Sequence, residues 1–363
     1  MTELPLRSKA SNAALAKARA MYGERLRAAD YRRLAACRTM PQLAAELKAL
    51  PMYAPTLAAL NPPFARRAQL ESLLRQAVYD RCDSLFRYEL SSGQQVYGYF
   101  TVSCEVDEII TCLRCLDAGR PGDYLYKLPD FLKQRCTVDL YALARVTDAR
   151  SLLAALEGTP YRKLLAPLAD VPAGYKLLVY AEPHLEAYRH QALVALAPEP
   201  RKGGAGKAPG LRDLIEMECD NAAISNAGRL IRMHADPKWF DLLVRRDCTA
   251  LKPAEWQALL AARDFDAFRQ ALAATAYGRM LARQQYTFLK EGLQKCRYDW
   301  CRKWVRFSTD PALVMMCYLY LIQCEVKNLE HIIEGVHYGM PADQLMNLLI
   351  GCEDADTQQG REH

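Results

Sequence analysis

Asp139-Leu140-Tyr141-Ala142-Leu143, then Leu152-Leu153-Ala154-Ala155-Leu156, then Thr159-Pro160-Tyr161, closing on Leu164 and Leu165, is the stretch whose reading decides the fold. Leu152, Leu153 and Leu156 recur at spacings of three and four, which predicts one apolar helix face. Thr159 is placed to cap a following helix with its hydroxyl. Pro160 suits the first helical position, where its missing N–H would be unpaired anyway. Tyr161 is expected to turn its ring back toward Leu164 and Leu165. The stretch reads as two helices joined by a capped corner.

The same corner occurs twice more. An earlier copy runs Asp30-Tyr31, Leu34, Leu43, Leu47, Pro51-Met52-Tyr53 and Leu57; a later one runs Glu255-Trp256, Leu259, Phe268, Leu272, Thr275-Ala276-Tyr277 and Leu281. Leu34 to Tyr53 is 19 positions, and Leu143 to Tyr161 and Leu259 to Tyr277 are 18 each. The tyrosines themselves lie 108 and 116 residues apart, so 363 residues divide into three related units. Copy one has proline where the others have a threonine cap, and one extra residue, so its corner is expected to be looser. Tyr53, Tyr161 and Tyr277 are the repeat positions.

The expected organisation is a lead-in over 1–13, helical units over 14–122, 123–233 and 234–350, and a disordered tail over 351–363. Turn residues Asp117 to Gly122 close the first unit. Helices are expected over 13–29 and 66–88. Val96 to Ser103 has the composition of a strand, but is read as the start of a buried helix continuing to Cys115. Residues 198–210, rich in glycine, proline and lysine, read as a mobile loop. Gly206-Lys207 inside it does not make a phosphate loop, because Arg201 stands where the first glycine belongs and Ala208 where a Ser or Thr would hold magnesium.

Composition narrows the function classes. Hydrophobic residues make up 51% and charged residues 25%, enough for a sizeable core. Abundant alanine and leucine, with glycine and proline scattered, favour an all-α class. A net charge of +6, from 48 basic and 42 acidic residues, is too small and too dispersed to argue for nucleic acid. Met1 to Pro5 shows no basic-then-apolar leader, and the longest apolar run, Ala312 to Ile322, is about half the ~20 residues of a membrane helix. A cytoplasmic protein is expected. The 13 cysteines are odd in number and scattered, which speaks against structural disulfides. Cys112 and Cys115 form a C-x-x-C in an apolar stretch with no second pair at zinc spacing, so they read as small hydrophobes. His184 and His190, like His331 and His337, are six apart and do not share a helix face. No metal site is expected.

The last hundred residues carry a more specific pattern: Tyr320-Leu321, Glu325-Val326-Lys327-Asn328-Leu329, Ile332-Ile333, Gly335, then Gly339-Met340-Pro341-Ala342-Asp343 and Leu345. This order resembles the C-terminal signature of the C-type stalk component of bacterial and archaeal V-type (A-type) ATPases, a family related to the d-type component of the eukaryotic V-ATPase. Unit two offers Ala223-Ile224-Ser225-Asn226 and Leu230-Ile231-Arg232. Unit one offers Glu105-Val106-Asp107-Glu108 and Leu113-Arg114, with Glu108 at the position of Asn328. The likeness spans about residues 14–350. Glu330 and Val336 depart from the basic residues the family often has.

The resemblance implies three helical units closed into a pseudo-threefold funnel. It implies a non-catalytic central-stalk rotor component that couples the D and F axle to the membrane proteolipid ring during ATP-driven ion transport or ATP synthesis. Such a part sits peripherally at the cytoplasmic membrane face and takes no cofactor, nucleotide or small-molecule ligand. Arg229 and Arg232 are the candidate axle contacts. Glu325 and Asn328 read as a hydrogen-bonded helix corner between packed elements, and Leu313 to Ile322 as core in preference to ring contact. The alternatives are a cytoplasmic helical-repeat scaffold, disfavoured by units above 100 residues, and an enzyme using Cys112, Cys115 or Glu325, for which no nucleophile–base–orienter set is visible.

Overall fold

The computed structural model describes residues 7–87, 95–132, 136–172, 175–199 and 208–352. Among them every regular element is helical, seventeen α-helices and four short 3₁₀ turns, so the chain is all-α. It divides into two compact units. One combines residues 1–93 with 291–363 and the other holds 94–290. Residues 200–207 of the expected loop and 353–363 of the expected tail lie outside the described residues.

The first unit is built on the helix Pro311–His337. Asp310 caps it, its carboxylate accepting from the N–H groups of Ala312 and Leu313 at 3.1 and 3.3 Å, and Pro311 occupies the first turn. Leu313, Val314, Met315, Cys317, Ile322, Leu329, Ile332 and Ile333 are buried on all sides of it, as a central helix requires. It is long and apolar enough to cross a membrane, yet 78% of its most apolar window is buried inside the protein. Leu313 to Ile322 are core.

Helices Arg7–Gly23, Met40–Ala49, Arg67–Phe86 and Ala342–Leu348 pack on this one. The first begins at Arg7, inside the expected lead-in. It ends at Gly23, and Ala28–Ala35 follows as a separate helix in place of one helix over 13–29. Arg81 ties three helices together. Its guanidinium donates to the Tyr318 hydroxyl at 2.9 Å, the Met21 carbonyl at 3.2 Å and the Glu24 carboxylate at 2.7 Å.

The second unit holds the helices Gln95–Asp117, Leu177–Val194 and Leu211–Arg232. Val96, Phe100, Val106, Ile109, Ile110 and Leu113 are buried along the first. Val96 and Phe100 are four apart, as are Val106 and Ile110 and then Ile109 and Leu113, and this helical face overrides the β propensity of Val96 to Ser103. That helix packs against Leu177–Val194, whose N-terminal amides are capped from outside: the Asp117 carboxylate accepts from Leu177 N and Leu178 N at 2.9 and 3.0 Å.

The corners fold from local rules. Asp139 accepts from Tyr141 N and Ala142 N, Asp148 from Ser151 N, and Asp264 from Ala267 N. Thr275 caps Gly278 N at 3.2 Å. Thr159 does not cap: its hydroxyl donates back to the Leu156 carbonyl at 2.7 Å, and the helix Pro160–Leu164 starts without a side-chain cap. Residues 51–59 of the first corner form successive turns with no α-helix, consistent with Pro51 at the cap position.

Candidate functional site: three tyrosine–carboxylate anchors

Each corner tyrosine is buried and reaches a carboxylate on a long helix. Tyr53 Oη donates to Glu325 Oε1, Tyr161 Oη to Glu105 Oε2 and Tyr277 Oη to Asp220 Oδ2, all at 2.8 Å. A backbone N–H from the segment leading into the same corner donates to the same carboxylate. Leu26 N meets Glu325 and Ala250 N meets Asp220, each at 2.9 Å, and Thr137 N meets Glu105. The Thr137 and Thr249 hydroxyls add a further donor to Glu105 and Asp220. Glu105, Asp220 and Glu325 are 3%, 1% and 5% exposed, so these donors replace water as their partners. Tyr161 directs its hydroxyl at Glu105, and its ring meets Tyr188 edge-on at 5.4 Å.

Electrostatics keeps these groups fixed. Burial, then the adjacent carboxylate, pushes the phenols of Tyr53, Tyr161 and Tyr277 far up, so they remain protonated donors. Burial also raises the Glu325 and Asp220 carboxyls, although their hydrogen bonds pull the other way. A carboxylate engaged by a phenol and a backbone amide is a fastener. A cavity of about 20 Å³ adjoins Glu325, between Tyr22, Tyr31, Tyr298 and Tyr318. It has room for about one water, far below the hundreds of Å³ of a typical ligand pocket.

The anchors group the chain across the expected boundaries at 122 and 233. The corner at 139–168 is fastened to Gln95–Asp117, the corner at 255–281 to Leu211–Arg232, and the first corner to Pro311–His337 at the other end of the chain. Asn328, one turn after Glu325, exchanges both hydrogen bonds with the Ile350 backbone at 2.9 Å. Glu108, one turn after Glu105, accepts from the Tyr124 hydroxyl at 2.9 Å. Asn226 donates to the Leu243 carbonyl at 2.9 Å. Each long helix thus also ties down the segment that follows it.

The three long helices end alike. Fourteen residues after Glu105, Asp220 and Glu325 stand Gly119, His234 and Gly339, with φ of 69°, 47° and 69°. In each, the residue after the left-handed one donates back across the last turn, Arg120 N to Cys115 O, Ala235 N to Leu230 O and Met340 N to Gly335 O. This is the Schellman motif three times in one register.

Arg229 and Arg232 lie exposed in the last turn of Leu211–Arg232, where their charge suits the helix dipole. Arg229 donates to Asn226 Oδ1 at 3.3 Å, and the Arg232 guanidinium lies 4.8 Å from the Phe265 ring centre. Cys112 and Cys115 are buried. The Cys112 thiol donates to the Leu143 carbonyl at 3.6 Å, and burial pushes its pKa up to about 12, unlike a reactive thiol. Among the described residues no group of three His, Cys, Asp or Glu is arranged to hold a metal. Asp220 escaped the sequence reading. Its signal was present, since it precedes Tyr277 by 57 residues as Glu105 precedes Tyr161 by 56.

Fold and site together define an all-α protein of repeated, internally fastened corners. The chain matches the ATP synthase (C/AC39) subunit family over residues 14–348, nearly its whole length. It belongs to that family, accessory subunits of V/A-type ATP synthases. No individually curated protein matches it.

Proposed function

We propose that the protein is the non-catalytic central-stalk rotor component of a V-type or A-type ATPase. In this reading its units close into a pseudo-threefold funnel that joins the D and F axle to the proteolipid ring, held peripherally at the cytoplasmic membrane face. The observation that carries the reading is the anchor made three times over. A part that passes torque without chemistry needs corners that do not slip on their helices, and a buried tyrosine–carboxylate contact reinforced by a backbone amide provides that.

The ends of the long helices support it. Met233 and Tyr338, at the same position before the left-handed residue, are 69% and 73% exposed, and Arg229 and Arg232 stand beside Met233. Apolar side chains exposed next to cations make a docking point for an acidic, amphipathic helix such as an axle tip would present.

The test is co-purification from the native membrane in mild detergent, followed by charge reversal. The D and F axle and the proteolipid ring are expected to accompany the wild-type chain, and R229E/R232E is expected to weaken axle binding. A chain that emerges with soluble partners alone would favour a scaffold. Undiminished axle binding by the double variant would remove these arginines from the interface.

A further inference from the structure

The helix Leu289–Phe307 changes its buried face halfway along. Its first half buries Gly292, Leu293 and Cys296, and its last part buries Cys301 and Val305. At 3.6 residues per turn, Trp300, Lys303, Trp304 and Phe307 continue the first of these faces. They do so after burial has passed to the other side. Phe307 is 69% exposed, Lys303 is exposed, and both indoles are half-buried. The indole rings stand 6.0 Å apart, and the Lys303 ammonium lies 5.3 Å from the Trp304 ring centre.

Positive charge predominates along the stripe. Residues 299–307 carry Arg302, Lys303 and Arg306 against the single acid Asp299, which pairs with Arg302 at 3.3 Å. Paired indoles, an exposed phenylalanine and unbalanced cations suit a boundary where an apolar layer meets anionic headgroups. Indoles settle at that depth, phenylalanine reaches below it, and lysine and arginine are drawn to the surface charge.

We infer that the stripe Trp300–Lys303–Trp304–Phe307 docks on an anionic lipid surface. The inference goes beyond the rotor reading, because it requires neither axle nor ring, and it is tested without them.

The full-length chain is sedimented with vesicles of phosphatidylcholine alone and of phosphatidylcholine mixed with phosphatidylglycerol. Binding is expected to the anionic vesicles only, to weaken with added salt, and to shift tryptophan emission to shorter wavelength. K303E/F307S changes two exposed side chains, and an unaltered melting curve checks that its fold is kept. Each cation at an anionic surface contributes about 1 kcal/mol, so this variant is expected to bind roughly tenfold more weakly or worse. Absence of wild-type binding, or equal binding by the variant, overturns the inference. So does a variant that loses association with another ATPase component while vesicle binding stays unchanged, which would make the stripe a protein interface.

Discussion

The Tyr53 hydroxyl meets Glu325 across 272 residues of chain, whereas Tyr161 and Tyr277 reach carboxylates only 56 and 57 residues before them. The tyrosine–carboxylate contact recurs in all three corners, but in the first the carboxylate follows its tyrosine in the chain and in the other two it precedes it. The last long helix has no corner after it in the sequence, and it receives the one at the start. That hydrogen bond, with Leu26 N beside it, adds to the helix packing that joins this early corner to Pro311–His337 within one compact unit.

Tyr53→Phe removes one donor from a buried carboxylate and leaves the ring in place. Hydrogen bonds to charged groups are worth about 1.5–3 kcal/mol, and Glu325, 5% exposed, has only the one-water cavity beside it to supply a replacement for the lost partner. The variant is expected to lower the urea midpoint of the unit by a corresponding amount. Tyr161→Phe and Tyr277→Phe are expected to lose less, because Thr137 and Thr249 hydroxyls remain on Glu105 and Asp220. Equal losses at all three sites would show that the extra hydroxyls contribute nothing.

The pH dependence follows from burial. Glu325 and Asp220 have carboxyl pKa values raised above their ordinary 4.5 and 3.8, chiefly by desolvation. A group with a raised folded pKa binds its proton more tightly in the folded state. Its contribution is therefore fully present below the unfolded pKa and lost as pH rises through the folded one. The wild type is expected to gain stability from these two groups as pH falls from neutral toward about 4.5. Glu325→Gln and Asp220→Asn are expected to flatten that gain, measured as the difference in urea midpoint between variant and wild type. Parallel pH profiles would mean that both carboxyls titrate alike folded and unfolded.

The corners were legible because they are local. Leucines at helical spacing, a cap and a tyrosine in register all fall within about thirty residues, and no distant contact is needed to read them. Their partners were harder to see. Glu325 stood out through its neighbours Asn328 and Gly335, and Glu105 lay in the quoted run, but nothing local pairs either with a tyrosine. Asp220 is one carbon shorter than its counterparts, which hid it. The pairing of Tyr53 with the last helix is invisible to any reading that closes units in sequence order. The strand-like Val96 to Ser103 became helix because its apolar residues had a helical face to bury, a tertiary gain that outweighs intrinsic preference.

Gly335 is a close-approach glycine. A Cβ there would come within 2.0 Å of Leu345 Cδ2 and 2.7 Å of its Cγ, and Leu345 is fully buried. Alanine would favour the helix by about 1 kcal/mol, but forcing a methyl into a filled contact costs about 1–3 kcal/mol or more. At 2.0 Å the steric term prevails. Gly335→Ala is expected to displace the helix Ala342–Leu348 and speed proteolysis of residues 342–352. Unchanged cleavage and an unchanged or raised melting temperature would show that Leu345 yields freely.

The shared helix ending supplies the last prediction. Gly119 and Gly339 hold the left-handed position without a Cβ, and His234 holds it with one, at φ 47°. A side chain in that region costs about 1 kcal/mol or somewhat more, and histidine tolerates it better than most residues. The added freedom of glycine in the unfolded chain returns part of the difference. His234→Gly is therefore expected to stabilise the second unit by about 0.5 kcal/mol. Gly339→Ala tests the same position in the other direction. Nothing lies within 4 Å of the Cβ it would add, so its cost is conformational alone, expected at about 1 kcal/mol. If His234→Gly instead destabilises, the imidazole makes a contact worth more than the strain it imposes, and the second helix ends by a different balance from the other two.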